Sequence, residues 1–594
     1  MDEVEQFLRG LELDNRRAAV LTAVACGVGA LVLLARKVAG HREAKDKIRR
    51  ARDRRTESLQ RAEQAVLRYK EMHPTTDSAA ILSLSLSELT KQLREGVLSP
   101  EDVFYSYVEK TLAVHKKLNC CTGILLESFD QLKTINSSKD GLLYGVPVSI
   151  KENIGYKNQD SSCGIVINLG LPDTRDSVLV EVLKLQGAIP FVKTNIPQAL
   201  LSYDCSNPIY GQTRNPCNLQ KTSGGSSGGE GALIGGGGSL LGLGSDIGGS
   251  IRIPASFCGI CGFKPTTGRL SSNGVKPIYR GQKSVFSSAG PMAKDVESLA
   301  LCMQALLCDH MFSLDPTVPP IPFNVQIYHS SKPLRIGYIE DDGYMQPTPS
   351  MARAIREIKN LLEQAGHTLV PYRPPRIGYV ANELLVKGIL ADGGTTLLQK
   401  LEGSPLDPSI RDQVISLSLP TWMKKTLLFL IKPLYPRLSE ITSATIGVGS
   451  VKKLWEQHAA AEDYTKEVIE DWRRCNIEVM LCPVVGPAYS LFYCGKVSGT
   501  LTYAMLYNLL NFPAGVVPVS MVTAEDEEEL KHYKGIYQDH MDKLFKEAVT
   551  GGEGLPVAVQ CVALPWRDEL CLRLMKEVEK LVKQSGELTC KLQI

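Results

Sequence analysis

Changes in hydrophobic pattern divide the chain. Ala18 to Ala35, AAVLTAVACGVGALVLLA, carries no charge. As a helix rising 1.5 Å per residue it reaches ~27 Å, marginal for a ~30 Å hydrocarbon core and suited to a thinner bilayer. Met1–Arg17 holds three basic and five acidic residues, whereas Arg36–Glu71 holds thirteen basic and six acidic. A cleaved signal peptide carries its positive charge ahead of the apolar run. The reverse order here favours a single-pass anchor over 18–35, with the rest of the chain cytosolic. A signal peptide and a buried core helix are the competing readings. Residues 36–75 read as a basic juxtamembrane helix ending near Pro74, suited to anionic headgroups or simply to a solvated charged face.

From residue 76 to 594 the pattern is that of one α/β unit. Ser85 with Glu88 forms a capping box, Gly96 a helix stop, and Ser99-Pro100 a second helix start. Gly145–Ile150 and Ala188–Val192 read as short buried strands, with a helix over Val178–Leu185 between them. Short apolar runs alternating with helices predict a mixed or parallel β-sheet covered by helices. Asp315–Phe323, DPTVPPIPF, reads as a rigid proline-rich connector, with a ligand for an SH3 domain as the alternative. In the segment 413–441, Pro420 and Pro433 bracket a helix too short to span a bilayer. Its Trp422, Met423 and Leu427–Ile431 stand beside Lys424, Lys425, Lys432 and Arg437. That mixture fits a helix lying in a membrane interface, and equally a core helix.

Composition narrows the class. Apolar residues make up 43% and charged residues 22%, which excludes a disordered or collagen-like chain. The net charge is +3, and the basic segment carries more than all of it. The body is therefore near neutral, and nucleic acid is not an expected partner. Sixteen cysteines are scattered without a framework spacing. The single C-x-x-C, Cys258 to Cys261, lacks a second pair, so neither a metal nor a cofactor is expected.

The candidate chemistry lies in Thr222–Lys264, TSGGSSGGEGALIGGGGSLLGLGSDIGGSIRIPASFCGICGFK. No window supplies a P-loop, and the one dinucleotide-like start, Gly242-Leu-Gly244, has Ile247 where a third glycine is required. Gly224-Gly-Ser226-Ser-Gly228 matches a nucleophile elbow, but the histidines after it, such as His367, His458, His532 and His540, stand in polar contexts without a motif. A different base is needed. Lys151 follows the apolar strand directly and can serve if burial makes its amine neutral. Alone, it would read as a salt-bridged lysine at a strand end.

Three segments occur together: GVPVSIKEN with Lys151, GGSSGG with Ser226, and GSDIGGSIRIPASFCGICGFKPT with Ser250. In order and spacing they resemble the amidase signature family, and NFPAGVVPV and GLPVAVQCVA resemble its C-terminal strands. The resemblance implies the amidase signature fold, with Ser250 as nucleophile, Ser226 as bridging serine at a cis peptide bond, and Lys151 as base. It implies that the N–H groups of Ile247, Gly248, Gly249 and Ser250 form an oxyanion hole, and that Ser227 supports them. Leu200 and Ser226 would touch substrate, and Leu201, Tyr203, Tyr344 and Leu390 would line an acyl channel.

Within the family the chain resembles the members that cleave lipid amides: N-acylethanolamines such as anandamide, and primary amides such as oleamide. The implied products are a fatty acid with ethanolamine or ammonia, and esters are cleaved too. The implied partners are the lipid amide and a membrane, in a homodimer on the endoplasmic reticulum and other intracellular membranes. A soluble glutaminase subunit of a tRNA amidotransferase and a catalytically silent membrane scaffold are the alternatives. The apolar segments argue against the first, and the intact Lys151, Ser226 and Ser250 against the second.

Overall fold

The computed structural model describes residues 15–497, 499 and 501–586. Its strands are β1 (Cys121–Ile124), β2 (Pro147–Lys151), β3 (Ile189–Thr194), β4 (Ser206–Asn207), β5 (Gly211–Gln212), β6 (Leu241–Asp246), β7 (Cys261–Lys264), β8 (Ser288–Ala293), β9 (Arg335–Tyr338), β10 (Thr368–Pro371), β11 (Val479–Pro483), β12 (Ala514–Met521) and β13 (Pro556–Ala563). Eleven of them form one sheet in the order β1-β3-β2-β6-β8-β7-β12-β13-β11-β9-β10. Pairing is parallel where β2 meets β3 and β6, and antiparallel from β6 through β8 and β7 to β12 and β13. The sheet is mixed, as the alternation of strands and helices predicts. Every residue of β2 and β3 is buried, which is why both read as largely apolar runs.

Local signals act as expected. Ser85 and Glu88 complete their reciprocal capping box, Gly96 ends that helix at φ 73°, and Pro100 opens the Pro100–Leu118 helix behind the Ser99 cap. The helix after β2 spans Val178–Leu185. The proline-rich connector is tied down: Asp315 accepts the Ser271 and Thr317 hydroxyls at 2.5 and 2.6 Å, and Val318 is buried.

The N-terminus differs from the expectation. One continuous helix, Asn15–Met72, covers both the predicted span and the basic segment. Among the described residues no single helix is long and apolar enough to cross a membrane, and within this one Val20–Gly29 is a shorter apolar stretch. Residues 1–14 of the predicted N-terminal segment lie outside the described residues. The basic half is not solvated all round. Ala44, Ile48 and Ala51 are buried with Val166, Leu169 and Ile209, and the Ser58 hydroxyl accepts the Ile124 N–H of edge strand β1 at 3.2 Å.

The 413–441 segment forms helices Arg411–Ser418, Thr421–Ile431 and Pro436–Ala444. The first two pass together as long and apolar enough for a span but are bent by 109°. Trp422, Phe429, Leu430 and Leu434 are exposed. Two of the four expected basic anchors are not on that surface. Lys424 is buried and donates to the Leu417 carbonyl at 2.9 Å, capping the preceding helix. Arg437 is buried against Asp542 at 2.9 Å, between the Tyr344 and Tyr537 rings. Both satisfy the body of the protein because a buried cation needs a partner. Lys425 and Lys432 remain exposed.

Candidate active site

Lys151 is the last residue of β2, so a rigid, fully covered strand presents its amine at the sheet's carboxyl end. There Lys151 Nζ lies 2.6 Å from Ser226 Oγ, 3.0 Å from Ser245 Oγ and 3.1 Å from the Ser245 carbonyl. The amine is fully buried, and that burial pulls its pKa down to about 7 against the opposing charge of Asp246. The set fits a neutral amine: two N–H groups for the two Ser245 oxygens, and a lone pair for the Ser226 hydroxyl. Glu230 does not restore the charge. Burial raises its carboxyl to about 8, and it sits between the hydroxyls of Ser149 at 2.5 Å and Thr194 at 2.8 Å.

The Gly225–Ser226 peptide is cis. Ser227 follows at the start of the Gly228–Gly235 helix, without a side-chain capping bond, and the helix's glycines let it sit hard against the sheet: a Cβ on Gly229 would lie 2.2 Å from the Asn195 nitrogen. The Ser227 N–H donates to the Ser250 carbonyl at 3.0 Å, and its hydroxyl faces Ser245. The two serine segments are thereby joined.

Ser250 closes the turn between β6 and the Arg252–Cys258 helix. Asp246 shapes that turn, accepting the N–H of Gly249 at 2.8 Å and of Ile251 at 3.0 Å. Burial alone would raise the Asp246 carboxyl, but the Arg252 guanidinium, at 3.0 Å from each oxygen, holds it well below the usual carboxylate range. Arg252 also donates to Ala504, Gln560 and Asn508, so the pair is locked into the core. Gly249 has φ +112°, and a Cβ there would meet Ala504 at 2.8 Å.

One expected oxyanion donor is accounted for differently. The Gly249 N–H is spent on Asp246, while those of Ile247, Gly248 and Ser250 have no acceptor among the described residues. Ser250 is half-buried and its hydroxyl has no hydrogen-bond partner among them, so the Lys151–Ser226 contact is formed and the Ser226–Ser250 contact is open. Such links commonly tighten only with substrate bound.

The acyl-channel candidates divide. Leu200, Leu201 and Leu390 pack on one apolar cluster with Leu397 and Leu401 and with Val414 and Leu417 of the 413–441 segment. Tyr203 and Tyr344 belong to the main core instead. Tyr203 donates to the Val497 carbonyl at 2.7 Å, and the Tyr344 ring lies under Arg437. Ala199 and Leu200 hold left-handed backbone, φ 57° and 53°, a strained geometry for residues with a Cβ.

No histidine among the described residues bonds to Ser226, Ser227 or Ser250; His458 pairs with Ser284 and His367 with the Leu334 N–H. Among the described residues one cysteine and histidine group is close enough to hold a metal, His115, Cys120 and Cys121, where His115 Nδ1 accepts the Cys121 N–H at 3.0 Å. Sequence reasoning passed over Ser245, Asp246 and Arg252. Their signal was their place in GSDIGGSIR, an acid and an arginine flanking the Gly-Gly turn.

The chain is similar to known amidases along most of its length. The amidase family model matches residues 102–572. Fatty-acid amide hydrolase 1 of Sus scrofa is 50% identical over 94% of this chain and 96% of its own. Vitamin D3 hydroxylase-associated protein of Gallus gallus is 52% identical over 77% of this chain and 98% of its own. A solved fatty acid amide hydrolase superposes with a TM-score of 0.74 at 26% identity, covering 90% of this chain and 95% of that one.

Proposed function

The chain belongs to the amidase family, and on that premise we propose that it hydrolyses fatty acid amides at a membrane through a Ser250 acyl-enzyme. The observation that carries the mechanism is a buried Lys151 amine 2.6 Å from Ser226. Similarity to the pig fatty-acid amide hydrolase along nearly the whole chain carries the substrate class. Neutral Lys151 takes the Ser226 proton, Ser226 takes that of Ser250, and Ser250 Oγ adds to the amide carbonyl. The free N–H groups of the Ile247–Ser250 turn receive the developing oxyanion. The relay then reverses, and the proton reaches the leaving nitrogen, which departs as neutral ethanolamine or ammonia. Water deacylates Ser250 by the same route. The cluster of Leu200, Leu201 and Leu390 takes the acyl chain.

Membrane attachment belongs to the same proposal. Its supports are the exposed apolar residues of the Val20–Gly29 stretch and of the Thr421–Ile431 helix, the second tied through Lys424 to the carbonyl of Leu417, a member of the acyl cluster. The excess of basic residues after the apolar stretch favours a cytosolic catalytic body on intracellular membranes such as the endoplasmic reticulum. A homodimer completes the reading that the family resemblance suggests.

The test is direct. Detergent-solubilised protein is incubated with oleoylethanolamide, oleamide and glutamine, and fatty acid and ammonia are followed. Fatty acid from the first two and no ammonia from glutamine is the expected result. Glutamine hydrolysis alone would replace this reading with that of a soluble-substrate amidase.

A further inference from the structure

We propose that the long N-terminal helix carries a binding site for the phosphate of an anionic phospholipid headgroup, distinct from the site that takes the amide; the inference rests on the membrane attachment proposed above. His41, Lys45, Arg49 and Arg52 recur at helical spacing and form one stripe. With Pro208 and Pro405 they line a cleft of about 450 Å³. The residues between them, Ala44, Ile48 and Ala51, pack on the body, so the stripe is held in register by the core.

The charge balance suits an anion. Three permanent cations line the cleft against one carboxylate, Asp53. Asp46, which does not line it, pairs with Arg49 at 2.9 Å, but both groups are more than half exposed on average and such a pair is weak. Lys45 has no carboxylate partner among the described residues. Arg52 is fixed in place, its Nε donating to the Ile209 carbonyl at 2.7 Å and its Nη2 to that of Pro208 at 3.0 Å. A positioned guanidinium beside a free ammonium is the arrangement phosphate oxygens favour.

Position makes the anion a headgroup rather than a free ion. Behind the stripe, the same helix continues into the exposed apolar residues Val20, Val24, Val28 and Leu31. At 1.5 Å per residue, His41 lies ~15 Å beyond Leu31 along the helix, so the stripe begins on the basic flank of the apolar stretch, where anionic headgroups attract cations. The opposite wall leads to the second apolar surface. Pro405 is held by Gln198 Nε2 at 2.9 Å, and the chain runs from it into the helices that expose Trp422 and Phe429. Gln198 is two residues from Leu200, so one wall of the cleft is built on the loop that bounds the acyl cluster.

The full chain in detergent is examined by native mass spectrometry with added dioleoyl phosphatidylserine or dioleoyl phosphatidylcholine. Wild type should retain the serine lipid preferentially. Lys45→Gln with Arg49→Gln should lower that retention by roughly thirtyfold, about fivefold for each basic side chain near a headgroup layer. Arg42→Gln with Arg50→Gln removes the same charge from exposed positions off the cleft and should leave retention intact. All variants should cleave a soluble short-chain amide at the wild-type rate, which verifies folding. No preference in wild type, or equal loss in both double variants, would overturn the site. Displacement of the lipid by inorganic phosphate at equal concentration would make it a soluble-anion site and also overturn the proposal. Sedimentation with pure phosphatidylcholine vesicles after detergent removal separates the two readings. Protein left in solution there refutes membrane attachment, whatever lipid it retains in detergent.

Discussion

Lys151 must be neutral to begin the relay, and its burial sets how often it is. A lysine at its ordinary pKa near 10.5 is neutral in about three molecules per ten thousand at pH 7. At the value of about 7 that burial gives Lys151, about half are neutral. The structure thus raises the reactive fraction by about a thousandfold over an exposed lysine. The sign follows from the direction of the shift: the protonated form dominates below about 7 and is inactive, so the rate rises with pH through about 7 and then levels. Lys151→Ala removes the base and should slow acylation by roughly 10²–10⁴-fold. It should slow amides more than esters, because only the amine must be protonated as it leaves. Lys151→Glu places a group there that is a base at neutral pH but a poor acid, so it should retain part of the ester activity and lose more of the amide activity. The assay is hydrolysis of matched oleoyl amide and oleoyl ester from about pH 5 to about pH 10 for wild type and both variants, a range spanning the shifted and ordinary lysine values. Equal losses on both substrates with an unmoved pH profile would refute the reasoning and leave Lys151 a structural residue.

Three further outcomes follow from other parts of the structure. Gly249→Ala sets a Cβ 2.8 Å from Ala504 at φ +112°, so the Ser250 turn must shift; kcat should fall by about 10²-fold with little change in KM, and wild-type kcat would contradict the assigned role of the turn. Arg437→Met strands the buried Asp542 carboxylate and should cost about 3–5 kcal/mol, read as a lower Tm; Asp542→Asn in the same chain should recover part of it, and no recovery would show the ion pair is not what anchors the 413–441 segment. In a chain lacking residues 1–35, Phe429→Glu with Leu430→Glu should release the protein from membranes while preserving cleavage of a soluble amide; a truncated chain already free without those changes would remove the segment's membrane role.

The parts of this fold written in local chemistry were legible in sequence. β2 and β3 are buried on both faces and appear as largely apolar runs, and the caps use groups within four residues of their targets, side chains at Ser85 and Ser99 and the backbone N–H at Gly96. Ser226 and Ser250 stood out because each sits in a motif dense in glycine, and Lys151 because it ends an apolar strand. The supports of the site were not legible. Ser245 matters because β6 lies beside β2 in the sheet, and Arg252 because Ala504, Asn508 and Gln560 arrive from more than 250 residues away. The basic residues of the 413–441 segment misled for a similar reason: composition cannot tell a lysine facing headgroups from Lys424 capping its own neighbour helix, or from Arg437 buried between two tyrosines. The Asn15–Met72 helix shows the same limit, since its charged half hides a face of Ala44, Ile48 and Ala51 that only the partner surface at Val166 and Ile209 reveals.

The central claim is that Ser250, activated through Ser226 by Lys151, becomes acylated by a fatty acid amide. The most direct measurement is intact-protein mass spectrometry of the wild type quenched in acid during turnover of oleamide, followed by peptide mapping. One oleoyl group is expected, on Ser250, absent in Ser250→Ala and in Lys151→Ala quenched at the same time. An oleoyl group on Ser226 or Ser227, or none in wild type while oleate accumulates, would contradict it.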